Sequence, residues 1–446
     1  MTALEKFANF AARLDLSQLP LDVVRKAKLC VLDTVSACLT IGSTDGSAVA
    51  LALLGPEMSQ GGRSRVFGRT DRTDAECAAF INAVSAAATI RTDTHPASAS
   101  HPGMVVIPAV LASGEAAQIS GAAAIAGVIA GYEFMIRLGL AVITPQLASV
   151  FRPTGLLGPG AAAVGVAVAT GMDLAKTVRA VALGCHNAAG FNEWVHAGTI
   201  EHIYHGGFAA RNAITAVRLA AAGAQAAPSL LEGRSGFLAG FSALDRANVV
   251  TEGLGERFLI LDTMHKPAPA CIFAQSPAQA ALRLLEAHPL DPANIGSVEI
   301  LTSARAVEFP GCDNAGPFAD PPGVQQSIQF SVAAVLAAGA MHEQLWACPA
   351  DPLVTRLAAR CRLAIDSADH GQRQPVHLRV RLHDGSTVQS MVPDFVSMSE
   401  EEVVARYLHA AAPVLGACRA EDALDRIMRL DEAADLNDVT ALLAPA

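Results

Sequence analysis

Apolar residues recur at the spacing of an α-helix along the chain as far as Leu259, and this periodicity constrains the fold more strongly than any other feature of the sequence. Helices are predicted at 21–39, 74–88, 121–140, 159–170, 173–183 and 207–222. Hydrophobic residues make up 52% of the sequence but aromatic residues only 5%, so these helices must pack through Ala, Leu and Val rather than through large rings. The first part of the chain is therefore predicted to be all-α.

The periodicity changes after Leu259. Strands are predicted at 297–301, 376–382 and 387–392, and the sequence His-Asp-Gly-Ser at 383–386 predicts a hairpin turn between the last two. Helices predicted at 274–287 and 327–338 would cover one face of this sheet, and helices at 400–412 and 420–430 follow it. We predict a mainly α fold, with a large all-helical domain over 1–262, rejoined by C-terminal helices over 399–446, and a smaller α+β domain over 263–398.

Charge and composition exclude several classes of protein. The formal net charge is −10 and no basic run occurs, which argues against a nucleic-acid partner. The first 15 residues lack the features of a secretory signal and no charge-free stretch has the character of a membrane helix, so we expect a cytoplasmic protein with no membrane partner. The nine cysteines are scattered without a CxxC pair, and most are expected to be small buried residues.

The densest polar cluster is the segment Arg91-Thr92-Asp93-Thr94-His95, with His101 following shortly after it. It lies between two apolar helical stretches, where a rigid scaffold commonly presents functional groups on a loop. The same residues are compatible with a solvated loop in which Asp and Thr make local turns and prolines set the entry to the next helix.

Arg152 and Thr154 lie immediately before an Ala-rich helix. A cation and a hydroxyl at a helix N-terminus favour an anion such as a carboxylate, because the first amides of a helix point towards it. The alternative is an ordinary helix start with a capping residue.

His202 and His205 precede the paired glycines Gly206 and Gly207, near which the next helix is predicted to begin. Two imidazoles there could transfer protons near neutral pH. The His-x-x-His spacing can also bind a metal, but the sequence offers no evident third ligand, and we predict no metal site.

His265 and Lys266 begin a proline-stiffened apolar segment that runs to Cys271. Desolvation in such a segment could lower the pKa of Lys266 and make it a base, or the ammonium could clamp a carboxylate. A solvated surface lysine is the alternative. Nucleotide-phosphate, nucleophile-elbow and metalloprotease motifs are all lacking in the sequence.

Taken together, these clusters resemble the MmgE/PrpD family, which includes 2-methylcitrate dehydratases, cis-aconitate decarboxylases and iminodisuccinate epimerases. The resemblance spans nearly the whole chain and rests on the order and spacing of several short motifs. They are 28–34 (KLCVLDT), 93–95 (DTH), 101–103 (HPG), 131–133 (GYE) with Arg137, 152–155 (RPTG), 206–210 (GGFAA), 231–233 (LEG) with 236–237 (GF), 266–267 (KP) and 326–328 (QSI).

The resemblance implies a large helical domain with a smaller α+β lid, a homodimer, no cofactor, and a small polycarboxylate substrate bound between the domains. The expected catalytic residues are Asp93, His101, His202 and Lys266. The expected substrate-binding residues are Thr94, His95, Arg152, Thr154, His205, His265 and Gln275.

Three positions depart from the dehydratase and decarboxylase branches that the chain resembles. Arg152 stands where those branches usually have His, His202 where they usually have Lys, and Gln275 where His is common. An arginine cannot carry a proton at neutral pH as histidine can, so these departures bear directly on the reaction.

The expected reaction is cofactor-independent acid–base chemistry, most readily a lyase step of dehydration or decarboxylation. Arg152 and Lys266 would clamp carboxylates, His101 or His202 would move the proton, and Asp93 and Thr94 would orient His101 or a leaving group. Epimerisation of an amino- or hydroxy-dicarboxylate is an alternative, since it needs two proton carriers and no leaving-group acid. Binding of a dicarboxylate without turnover is another.

Overall fold

The computed structural model of the chain describes residues 1–42, 44–54, 62–347, 351–368 and 370–446. Most of its helices begin at a residue whose side chain caps the helix N-terminus. Asp74 accepts from the Cys77 amide, and Ser120 accepts from the Ala123 amide. Each such oxygen satisfies an amide that has no partner within the helix. The helix starts at 75 and 121 are therefore determined locally by the sequence.

The chain divides into two units. The first, here called the helical unit, comprises Met1–Phe191, Glu201–His265 and Ser399–Ala446. Its helices, in chain order, are α1 Ala3–Ala11, α2 Leu21–Cys38, α3 Asp45–Ala50, α4 Ala75–Ala88, α5 Gly103–Ala117, α6 Gly121–Val142, α7 Pro145–Val150, α8 Pro153–Ala169, α9 Leu174–Cys185, α11 His202–Ala221, α12 Phe237–Gly240, α18 Glu400–Leu415, α19 Ala417–Met428 and α20 Leu436–Thr440. This unit also contains two short antiparallel strands, β1 Ser64–Arg65 and β2 Arg72–Thr73.

Small residues let the central helices of this unit approach closely. A Cβ built on Gly127 of α6 would lie 2.5 Å from the Gly165 carbonyl oxygen of α8, and one on Gly131 would lie 2.4 Å from Val106 of α5. Such distances are below van der Waals contact, so the helices can pack this closely only where the side chain is absent. A core that is rich in alanine and poor in aromatic residues follows from this packing.

Helix α6 is long and apolar enough, by length and composition, to cross a membrane, but 94% of its most apolar window is buried inside the structure. It also contains Glu133, whose carboxylate accepts from Arg137 at 3.1 Å with both side chains almost fully buried. Helix α6 is apolar because neighbouring helices bury it in the core of the unit.

The second unit, here called the α+β unit, comprises Asn192–Ile200 and Lys266–Met398. Its sheet has the order β4-β3-β5-β6, with β3 parallel to β4 and antiparallel to β5. The strands are β3 Ile295–Ser303, β4 Cys361–Asp366, β5 Val376–Leu382 and β6 Thr387–Val392, and the helices are α10 Trp194–Ala197, α13 Ile272–Ala287, α14 Ala304–Glu308, α15 Pro321–Gln326, α16 Ile328–Ala338 and α17 Pro352–Ala358.

One face of the sheet is buried and the other faces solvent. Val376, Leu378 and Val380 of β5 are buried, and α13 and α16 pack against that side, as predicted. On the other side, Arg379 of β5 pairs with Glu299 of β3 at 2.7 Å, with about half of each side chain exposed. The predicted hairpin and the alternation of β5 are confirmed, and so is the mainly α fold class with a smaller α+β part.

The sequence analysis missed strand β4, the short strands β1 and β2 and helix α5, and it placed the starts of α8 and α11 too late. Strand β4 lies at the sheet edge and is mostly half-exposed, so its sequence lacks clear alternation. Helix α8 begins at Pro153 rather than 159, with proline at its first position. Helix α11 begins at His202, so the glycines at 206–207 lie inside it; a Cβ on Gly207 would lie 2.7 Å from Val84.

Seven cysteines are buried and Cys418 is exposed, which confirms the expectation that most of them are interior residues. Cys348 lies outside the described residues.

Candidate active site

The loop that follows α4 is fixed by main-chain hydrogen bonds at two places. Thr94 exchanges amide-to-carbonyl bonds of 2.8 and 2.7 Å with Met264, and His95 exchanges a similar pair with Ser100. Arg91 at the start of the loop is buried and donates to the carbonyl and hydroxyl of Ser36 in α2. The predicted polar cluster is therefore an ordered loop of the helical unit rather than a solvated one.

Asp93 is fully buried at the centre of this loop. Its Oδ1 accepts from the Gly103 amide at 3.0 Å, and its Oδ2 accepts from the Tyr132 hydroxyl of α6 at 2.5 Å. Burial, with the negative charge of nearby Asp33, raises the pKa of the Asp93 carboxyl despite these two donors. Gly103 must lack a side chain here, because its Cβ would lie 2.7 Å from Oδ1.

His101 is half-buried, and its Nδ1 lies 3.1 Å from the backbone carbonyl oxygen of Asp93. A carbonyl oxygen can only accept, so this bond requires the proton on Nδ1. The neutral ring then has its lone pair on Nε2, which is the form of a general base. The main chain of Asp93 therefore orients this imidazole.

His95 and Thr94 hold the loop in shape. The Ser98 amide donates to His95 Nδ1 at 3.2 Å, and Thr94 Oγ1 donates to the Ser100 carbonyl at 3.3 Å. Burial, only partly offset by the charge of Asp262, lowers the pKa of His95 to about 4. The ring of His95 is thus neutral at pH 7 and caps the short turn at 96–98.

Arg152 immediately precedes α8, a helix of 17 residues. Its amide donates to the Gly190 carbonyl at 2.9 Å and its Nη1 donates to the His202 carbonyl at 3.1 Å. Thr154, in the first turn of α8, is buried, and its hydroxyl has no hydrogen-bond partner among the described residues. The guanidinium, the helix dipole and this hydroxyl together favour an anion.

His202 and His205 lie three residues apart in the first turn of α11, on one face of the helix. Burial, together with the positive charge of Arg152, lowers the pKa of His205 to about 4 and holds that of His202 well below its usual range. Both rings are therefore neutral at pH 7. Gly190 packs on His205, since its Cβ would lie 3.0 Å from the ring Nδ1.

The loop that carries His101 and the group formed by Arg152, His202 and His205 adjoin helices that pack together. Helix α5, which follows His101, contacts both α8 and α11. Met104 in its first turn would lie 3.7 Å from a Cβ on Gly206, the residue next to His205. The helical unit thus gathers the polar loop, Arg152 and the two histidines of α11 onto adjoining helix ends.

A buried charge network in the helical unit joins His265, which was predicted to bind substrate, to Asp33 and Arg406, to which the sequence analysis assigned no role. Asp33 of α2 is fully buried, accepts from His265 Nδ1 at 2.9 Å, and accepts from the Arg406 guanidinium of α18. Burial opposes ionisation of Asp33, but Arg406 and His265 outweigh it and hold its pKa below the usual range. Lys26 Nζ lies 3.1 Å from His265 Nε2. The signal in the sequence was a carboxylate that is the one charged residue of the stretch 29–38 in α2.

Lys266 and Gln275 belong to the α+β unit. Lys266 is almost fully buried, and its Nζ donates to the Ala270 carbonyl at 3.3 Å. Gln275 accepts from the Ala268 amide at 3.0 Å and donates to the carbonyls of Ala268 and Ala270 at the same distance. Gln275 therefore braces the segment that carries Lys266.

The predicted site residues divide between the two units. The helical unit contains Asp93, Thr94, His95, His101, Arg152, Thr154, His202, His205 and His265, and the α+β unit contains Lys266 and Gln275. Within the described ranges, no group of three or more His, Cys, Asp or Glu side chains is arranged to hold a metal ion.

Comparison with known proteins adds independent information. The model of the MmgE/PrpD N-terminal domain matches residues 5–249, and that of the MmgE/PrpD C-terminal domain matches residues 268–432. The chain is similar to two cis-aconitate decarboxylases of Aspergillus terreus, at 25% and 24% identity over 98% of this chain and 94% and 95% of those proteins. A cis-aconitate decarboxylase-like protein of Aspergillus oryzae is 29% identical over 48% of this chain and 46% of that protein.

Proposed function

The chain belongs to the MmgE/PrpD family, and from that premise we propose that it is a lyase acting on a small di- or tricarboxylate by decarboxylation or dehydration. The relatives named cis-aconitate decarboxylase, which align with nearly the whole chain, support this class of reaction. The proposed chemistry requires a proton carrier and a place for a carboxylate, and both requirements have candidates in the helical unit.

The observation that carries the proposal is the bond from His101 Nδ1 to the Asp93 carbonyl. It makes Nε2 the basic nitrogen of a half-buried ring, and it holds that ring on a loop whose ends are fixed. Loss of a group near a carboxylate either begins with removal of a C–H proton or ends with its return. His101 would carry that proton at Nε2.

Arg152 is the proposed carboxylate-binding residue of the helical unit. A guanidinium has five N–H donors in a planar fork, so it can hold a carbonyl and a carboxylate together. The lowered pKa values of His202 and His205 leave both rings neutral, so the positive charge at this place comes from Arg152 and the end of α8. This charge would stabilise the negative charge that develops beside a substrate carboxylate.

Epimerisation is the second candidate, and the neutral pair His202 and His205 favours it. An epimerase needs one group to remove a proton and another to return it on the opposite face. A neutral imidazole can remove the proton and a protonated imidazole can return one, whereas the arginine at position 152 can do neither.

The test is incubation of the purified full-length protein in D2O with cis-aconitate, citrate, 2-methylcitrate and an amino-dicarboxylate, followed by NMR. Loss of CO2 or a new alkene is the expected result. Deuterium uptake without a new product would overturn the lyase in favour of an epimerase. No change in any compound, together with a measurable binding signal, would indicate a binding protein.

Arg152→Gln then tests the carboxylate site on the compound that reacts. Loss of a bidentate charged contact should raise KM by about ten-fold or more, because a charge-assisted pair contributes roughly 1.5–3 kcal/mol. Arg218→Gln is the matched control, since the Arg218 side chain is 71% exposed and pairs with Glu76. Equal KM values for the two variants would remove Arg152 from the site.

A further inference from the structure

Two free cysteines of the α+β unit place their sulfur atoms 3.8 Å apart, and the Cys312 thiol donates to the Cys271 sulfur. Cys271 is 7% exposed and Cys312 is fully buried. Cys271 is also the residue that immediately precedes α13, a helix of 16 residues. The pair has no part in the proposed function.

The surroundings of Cys271 differ from those of the other buried thiols. The Cys312 thiol, the first-turn amides of Phe273 and Ile272, and the charge of Lys266 all favour the thiolate; they outweigh burial and lower the pKa of Cys271. In contrast, burial alone raises the pKa of Cys361 to about 12. Cys271 is therefore the nucleophilic member of the pair, and Cys312, whose pKa burial raises, is its proton-bearing neighbour.

Main-chain bonds hold both cysteines against one short segment. The Cys271 amide donates to the Gln325 carbonyl at 2.8 Å, and the Cys312 carbonyl accepts from the Ile328 amide at 3.0 Å. A disulfide requires sulfur atoms about 2.05 Å apart. From 3.8 Å, the two sulfur atoms must move less than about 2 Å closer to form this bond.

We propose that Cys271 and Cys312 form a redox-active dithiol that is oxidised to a disulfide by hydroperoxides. The Cys271 thiolate attacks one peroxide oxygen, so the O–O bond breaks and a sulfenic acid and hydroxide form. The Cys312 sulfur then attacks the Cys271 sulfur, and the sulfenic oxygen leaves as water with the Cys312 proton. The two thiols lose two electrons to the peroxide, and an external dithiol reverses the change.

The test treats the full-length Cys418→Ser protein with hydrogen peroxide, blocks remaining thiols and maps the peptides by mass spectrometry. Removal of Cys418 eliminates the exposed thiol among the cysteines that the structure describes. Cys312 and Cys348 fall in one tryptic peptide, so a second protease that cuts at aromatic residues is needed to separate them. The expected product is a peptide pair linked through Cys271 and Cys312 that dithiothreitol separates. Oxidation confined to other cysteines would overturn the proposal.

Two further variants keep the test decisive. Cys312→Ser removes the resolving thiol, so Cys271 should accumulate as sulfenic acid and be trapped by dimedone at least about ten-fold more than Cys361, since one pKa unit is a ten-fold change in thiolate. Cys361→Ser should leave the 271–312 link unchanged. If dimedone labels Cys271 no more than Cys361 in a folded Cys312→Ser protein, Cys271 is not the reactive thiol.

Discussion

The hydroxyl of Tyr132 donates a 2.5 Å hydrogen bond to Oδ2 of Asp93, so a buried helix fixes the carboxylate of the loop that carries His101. The backbone carbonyl of the same aspartate accepts from His101 Nδ1. Asp93 thus connects the packing of α6 to the orientation of a proton carrier.

Tyr132→Phe should lower the free energy of unfolding by about 1–3 kcal/mol, because a buried carboxylate loses a donor. Denaturant titration measures the change. Tyr407→Phe is the matched control: Tyr407 is fully buried in α18, and its hydroxyl has no hydrogen-bond partner among the described residues. That substitution should change stability by less than about 0.5 kcal/mol. Equal losses for both tyrosines would mean that the bond to Asp93 contributes nothing.

His101→Ala should reduce kcat by a factor of about 100 to 10,000 on the compound identified by NMR, because the proton carrier is lost. The circular dichroism spectrum and the unfolding midpoint should stay close to those of the parent. His186→Gln, at an exposed position after α9, should keep full turnover. Unchanged turnover in His101→Ala would assign the proton transfer to another residue.

Asp33→Asn should destabilise the helical unit by roughly 3–5 kcal/mol, because it removes a buried charge that is paired with the Arg406 guanidinium. The exposed pair Arg25 and Glu400 supplies the comparison, since 69% of the Arg25 side chain is exposed. Glu400→Gln should cost no more than about 1 kcal/mol in the same denaturant titration. A loss of that size for Asp33→Asn would contradict the account of the network.

Acid should weaken the fold through His205, whose pKa is lowered from 6.5 to about 4. Between these values the unfolded chain takes up a proton that the folded ring resists, so the stability present above pH 6.5 is lost as the pH falls. His205→Gln should remove up to roughly 3 kcal/mol of the loss between pH 7 and pH 4.

Denaturant unfolding of the parent and of His205→Gln at each pH gives the difference in their free energies of unfolding. This difference separates the effect of His205 from that of Asp93, whose raised pKa makes the fold more stable as the pH falls. His186→Gln should follow the parent curve, and a parallel curve for His205→Gln would show that this ring does not resist protonation.

Gly127→Ala should cost about 1–3 kcal/mol, because the new methyl group would lie 2.5 Å from the Gly165 carbonyl and force α6 away from α8. Gly240→Ala, where no atom lies within 4 Å of the added carbon, should be neutral or slightly stabilising. Thermal unfolding of the two variants measures the difference. Equal behaviour would mean that the helices have room to separate at no cost.

Local sequence signals predicted the elements that depend on local physics. Capping side chains at Asp74 and Ser120 precede helices that form where expected, and alternation in 376–382 predicted a strand with one buried face. The start of α11 was misjudged because paired glycines are typical of a break. Gly207 instead lies inside α11, where the missing side chain lets α4 pack closely. A local pattern could not reveal this, because α4 lies more than 100 residues earlier in the chain.

The sequence by itself determined that the chain builds an alanine-rich helical part and a smaller α+β part. It also determined that His101, Arg152 and His202 lie in polar clusters between apolar stretches, and that Lys266 begins an apolar segment. Only the tertiary structure decided which groups these clusters meet: Tyr132 for Asp93, at a separation of 39 residues, and His265 for Asp33, at 232. Periodicity and capping act over one or two turns of chain. Buried polar groups pair because removing them from water is unfavourable without a hydrogen-bond partner, and that partner can come from any part of the chain.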